Sequence, residues 1–137
     1  MNRILEELAI ANVFAPQSVD ASTDKTTSFV DASGAEEVTF LISTAALGAG
    51  KALTVTLMGS ENSEGSGAVA VGDATVFTDS VGTDPQIAVV SYKVSPEHGR
   101  YVGVKFQHNG DAAVICGVTA AAKSMYLPAV NGWTLAM

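Results

Sequence analysis

At 137 residues the chain has the length of one domain, and a net charge of −7 with a pI near 4.5 argues against a polyanionic partner. Only 15% of its residues are charged, where an ordinary soluble domain carries about a quarter, and 47% are apolar, which excludes disorder as the main state. A single cysteine, Cys116, excludes an internal disulfide framework, and no apolar run approaches the ~20 residues of a membrane span.

The seven Lys and Arg form no run, so no nucleic-acid partner is expected. Ser, Thr, Ala and Gly occupy many positions where a solitary globule would place Lys and Glu. Such a surface suits a subunit packed among neighbours.

In chain order, residues 2–14 carry Ile4, Leu5, Leu8 and Ala9 at helical spacing. The spacing predicts a short helix, ended by Pro16. It either packs on its own domain or reaches a neighbouring subunit as an arm. Glu6 and Glu7 interrupt the apolar stretch, so no signal-peptide core is expected, and assembly in a reducing cytoplasm follows. Residues 17–28 are polar and read as an extended linker or edge strand.

From there the period becomes two. Val38, Phe40 and Ile42 alternate with Thr39 and Ser43, and Leu53, Val55 and Leu57 with Thr54 and Thr56. Val102, Val104 and Phe106 alternate with Gly103 and Lys105, and Val114, Cys116 and Val118 with Gly117 and Thr119. Each run predicts a strand with one buried face. Phe29 and Val30 mark an earlier strand, and Val69–Val71 and Thr75–Phe77 are weaker ones. Ile87, Val89 and Val90 put apolar groups on both faces, as in a central strand or one covered by another chain. Pro96-Glu97-His98-Gly99 predicts a β-turn. Asn109-Gly110 predicts a type I′ hairpin joining 100–107 to 112–120.

Short strands at such intervals, with no interleaved helices, imply a sandwich or barrel. The division expected is an N-terminal arm over 1–16, a β domain over 17–124 and a tail over 125–137. Trp133 in the tail either caps its own core or anchors a contact with another subunit.

No catalytic constellation emerges. Cys116 sits mid-strand on an apolar face and reads as core. His98 and His108 lie in or beside turns and read as solvated. Two His and one Cys give no zinc spacing, and Glu61, Asn62, Glu64, Asp73, Asp79 and Asp84 read as solvated loop groups rather than calcium ligands. Gly50-Lys51 lacks the remainder of a phosphate loop. No enzyme, cofactor or metal is expected. Arg100 reads as a turn cap or the partner of an acid such as Glu97.

The run from Ser28 to Gly34, the strand Glu37–Ile42, the segment Leu53–Asn62 and Gly99-Arg100-Tyr101-Val102-Gly103-Val104 together carry a resemblance. Over roughly residues 28–120 the chain resembles the head decoration, or cement, proteins of tailed bacteriophages. The resemblance implies a jelly-roll-like antiparallel β-sandwich, often a homotrimer, on the outer face of the capsid. There it bridges units of the major capsid protein; no enzymatic site comes with it, and no membrane is involved. Ile4, Leu5 and Leu8 in the arm and Leu127, Val130 and Trp133 in the tail are the candidate subunit or capsid contacts. A tail, head-completion or fibre-associated component is the second reading. A carbohydrate-binding sandwich using Tyr92, Tyr101, Tyr126 and Trp133 is the third.

Overall fold

The computed structural model describes residues 3–125 and 129–137. The described chain is nearly all β, as the period-two runs predict. A single turn of helix, α1 (Ile4–Glu7), leads into β1 (Leu8–Val19). There follow β2 (Lys25–Thr26), β3 (Val30–Asp31), β4 (Ala35–Thr44), β5 (Lys51–Ser60), β6 (Val69–Ala70) and β7 (Thr75–Asp79). Then come β8 (Gln86–Lys93), a 3-10 turn at Pro96–His98, β9 (Tyr101–His108) and β10 (Val114–Ser124).

Two antiparallel sheets pack face to face. One runs β1-β10-β4-β8; the other runs β2-β9-β5-β6, with β3 also on β9 and β7 also on β5. The inward residues are those picked out by the alternation: Val38, Phe40 and Ile42 face Leu53, Val55, Val102, Val104 and Phe106, with Cys116 and Val118 beside them. Burying each such side chain contributes about 1.5–3 kcal/mol, which is why the alternating runs decide the layers.

The N-terminal helix expected over 2–14 is confined to Ile4–Glu7. Residues 8–19 instead form an edge strand paired with β10 from Leu8↔Lys123 to Val19↔Val114. Helical spacing over so short a segment stabilises little by itself, whereas the ladder satisfies the backbone along the whole strand. Pro16 does not end this element. It sits in an irregular stretch between Phe14 and Gln17, on the open edge, where its missing N–H breaks no necessary bond.

The Asn109-Gly110 hairpin does not form. β9 belongs to the six-stranded sheet and β10 to the four-stranded one, so residues 109–113 cross between layers. Gly110 is absent from the glycines with positive φ. Asn109 instead closes the end of β5: its N–H donates to the Ala52 carbonyl at 3.1 Å, and its Oδ1 accepts the Ala52 N–H at 2.7 Å.

β8 is an edge strand, not a central one. Its outward Ile87 and Val89 are exposed. Between β7 and β8 the sandwich opens into a cleft of about 180 Å³, lined among others by Ile42, Leu53, Phe77 and Ala88. The buried hydroxyl of Thr44 lines it and has no described partner.

Candidate functional site

The side chains that sequence reasoning considered for chemistry serve the framework. Cys116 is fully buried between Val114 and Val118, and burial pushes its thiol up to about 11. A thiol held protonated in this way is a poor nucleophile. His108, expected in solvent, is wholly buried. Gly110 N–H donates to its Nδ1 at 3.1 Å, so the ring proton sits on Nε2 and is donated to the Val19 carbonyl at 2.7 Å. It thereby ties the end of β1 to the end of β9. His98 packs edge-on against Tyr92, with ring centroids 6.0 Å apart.

Asp79, read as a solvated loop acid, is also buried. Its oxygens accept the N–H groups of Leu47 at 3.0 Å and Gly82 at 2.8 Å, and so hold the loops after β4 and β7 together. These N–H donors, Gly82 first, lower its pKa below the usual carboxylate value. A depressed folded pKa contributes stability that is complete above the unfolded value and is lost as pH falls through the folded one. Thermal melting is therefore expected to be flat from pH 7 to about 5 and to decline below about pH 4. Asp79→Asn should melt lower at pH 7, because one N–H then faces an amide NH2, and should show a shallower acid decline. A variant with the wild-type acid profile would remove Asp79 from that role.

Arg100 pairs with Asp31 rather than Glu97. Its Nε and Nη2 reach the two carboxylate oxygens at 3.1 and 2.7 Å, and this fork holds Asp31 well below its usual range. Both side chains are about half exposed, so the pair fixes the ends of β3 and β9 more than it stabilises them.

The two chain ends that carry the predicted contact residues come together. The tail returns to α1, where Ala129 N–H donates to the Glu6 carbonyl at 2.6 Å. Asn131 then clamps three groups. Its Nδ2 donates to the carbonyls of Leu5 at 2.9 Å and Leu8 at 2.8 Å, and its Oδ1 accepts the Ile10 N–H at 2.6 Å. Sequence reasoning missed Asn131. The available signal was a lone amide in an apolar tail, able to both donate and accept.

Arm and tail thus present one surface. Leu5 and Leu8 are half buried beneath it. Ile4 is 70% exposed, Val130 89% and Trp133 fully exposed, and Ile10, Leu135 and Met137 are also exposed. Leu5, Ile10 and Trp133 line a shared groove of about 450 Å³. Trp133 therefore does not cap its own core. Leu127 and Tyr126 lie outside the described residues. Of the other aromatic candidates, Tyr92 is buried and its hydroxyl is engaged by Ser95, while Tyr101 lies half buried beneath Arg100.

Asn131→Ala is expected to free the tail while the sandwich melts as before, since each hydrogen bond lost contributes about 1 kcal/mol and none lies in the core. Limited proteolysis should then cut within 129–137 many times faster than in the wild type. Equal cleavage rates would show that the clamp does not hold in solution.

No family model matches the chain, and no curated protein sequence matches it. Among solved structures, the PBSX exported protein XepA superposes with a TM-score of 0.59 at 11% identity, over 100% of this chain and 44% of XepA. The chain spans less than half the length of that neighbour. The dimeric latent PorU of Porphyromonas gingivalis gives a TM-score of 0.48 at 12% identity, over 86% of this chain and 12% of its own. At 11% identity the likeness to XepA concerns the fold. Among the described residues, no helix is long and apolar enough to cross a membrane.

Proposed function

We propose that the chain is a phage structural protein that decorates the outside of the head and reinforces the shell, with the joined chain ends as its docking surface. The observation that carries this reading is the corner itself. Ile4, Ile10, Val130, Trp133 and Leu135 are exposed together on segments locked by one asparagine. An exposed apolar cluster built around Trp is the composition of an interface core. Repeated over a symmetric shell, a modest contact of this kind gains avidity.

Two further observations support the reading. XepA is a phage-related protein of similar fold. Counting β2 with β3 and β6 with β7 as single broken strands, the chain winds alternately through the two sheets, with β5 to β6 as the one step within a sheet. That winding supports the jelly-roll reading that the decoration-protein resemblance implies. The reading gives the chain no catalytic step and places it on the virion exterior, against the major capsid protein.

The test is a binding assay on purified phage heads that lack the protein. Wild-type chain should co-sediment to saturation at a fixed ratio to shell protein, in hundreds of copies per head. A Val130→Ser, Trp133→Ser variant should fold, because both side chains are exposed, and bind at least tenfold more weakly. Full occupancy by that variant would rule out the corner. A few copies per particle would favour a tail or head-completion component.

A further inference from the structure

We infer that β8 is a self-pairing edge, through which two copies of this chain join their four-stranded sheets about a two-fold axis at Val89. This inference rests on the edges of the sandwich and is independent of the capsid reading.

The direction of the backbone groups follows from register. β8 pairs with β4 without interruption from Glu37↔Lys93 to Thr44↔Gln86. Continuing that register, the Val94 N–H donates to the Glu36 carbonyl at 3.0 Å. Hydrogen-bonded and non-hydrogen-bonded pairs alternate along an antiparallel ladder. The even residues of β8 therefore bond to β4, while Ile87, Val89, Ser91 and Lys93 turn their N–H and C=O groups to the open side.

Open edges in natural proteins are guarded by proline, bulges, central charges or a covering segment. The opposite edge of the same sheet has three of these. β1 carries Pro16 and two irregularities, and its Ile10 N–H is taken by Asn131. The edges of the six-stranded sheet are broken into β2 and β3 on one side and β6 and β7 on the other. Among the described residues, β8 has none of these guards. It runs eight residues without proline or bulge, and Lys93 at its end is its one charge.

With the other edges blocked or broken, the unguarded strand a second copy can offer β8 is its own β8. Antiparallel pairing about a two-fold axis keeps both outer faces on the same side when a residue lies opposite itself. Centring on Val89 sets Ile87 against Ser91 and Val89 against Val89, all turned to the open side, and each such pair exchanges two main-chain hydrogen bonds. The same register lays Lys93 against Pro85, flanked by Asp84, at both ends of the joint. Opposite charges thus meet in a chain whose net charge of −7 otherwise repels its copies. Pro85 ends the pairing where its missing N–H would be needed.

The full chain is tested by sedimentation across a concentration series. A monomer–dimer equilibrium is expected. Val89→Pro removes an N–H that β4 does not use, so it should keep the fold and stay monomeric, whereas Val90→Pro should break the β4 ladder and lower melting. Should Val89→Pro unfold, cysteine trapping decides on otherwise intact protein. Val89→Cys should cross-link to itself under mild oxidation. Ile87→Cys should cross-link when mixed with Ser91→Cys and fail alone, with buried Cys116 a silent bystander. A monomer at every concentration, a trimer, an associating folded Val89→Pro, or the absence of these register-specific cross-links would overturn the inference.

Discussion

Phe106→Ala is expected to cost about 3–5 kcal/mol, a large share of the roughly 5–15 kcal/mol that holds a typical domain folded. Phe106 is 1% exposed, and it joins the two layers. Phe14, from the bulged edge strand β1, meets it edge to face with ring centroids 5.1 Å apart and planes at 88°. The alanine variant leaves a void beneath that contact. In urea the midpoint should fall with the m-value unchanged. Phe14→Leu should lose a smaller amount, since it retains apolar volume and forfeits the aromatic geometry, about 0.5–1.5 kcal/mol. A loss below about 1 kcal/mol in Phe106→Ala would mean that the two sheets do not close over this ring.

Gly59→Ala is the second large effect, and it acts through the backbone. The chain leaving the 3-10 turn crosses β5 so closely that a Cβ at Gly59 would overlap the His98 carbonyl oxygen. Backbone cannot rotate away as a side chain can, so relief requires moving the whole crossing. Gly99, at φ +95°, packs on the Ser60 backbone and holds that crossing from the other side. A penalty of about 1–3 kcal/mol or more is expected. Amide exchange should show it centred on residues 58–60 and 96–102. Gly67→Ala, at a positive φ with open space around its Cβ position, supplies the contrast: torsional strain without a clash. Equal losses in the two variants would show that close approach at Gly59 is unimportant.

Much of the layering was legible because it rests on a local property. Val38, Phe40 and Ile42, or Val102, Val104 and Phe106, face inward whichever strand lies beside them, because side chains alternate along any extended backbone. The exposure of apolar side chains near the chain ends has a similar local reason. Ile4, Val130 and Trp133 are apolar residues near chain ends with no alternating run to bury them. Their union at one corner was not, since it depends on Asn131 meeting main-chain groups of Leu5, Leu8 and Ile10 more than a hundred residues away in sequence. The burial of His108 and Asp79 was hidden likewise: a polar side chain beside a turn reads as solvated until its partners, Val19 and Leu47, are known.

By itself, then, the amino-acid order determined that the chain is nearly all β and which side chains of its alternating strands face inward. Only the tertiary structure decided pairing: that β10 joins β1 and β4 rather than β9, that residues 8–19 are a strand rather than a helix, and that β8 lies at an unguarded edge. The reason is physical. Alternation selects a face from the dihedral geometry of a single residue, whereas a ladder is chosen by competition among distant segments for the same backbone groups.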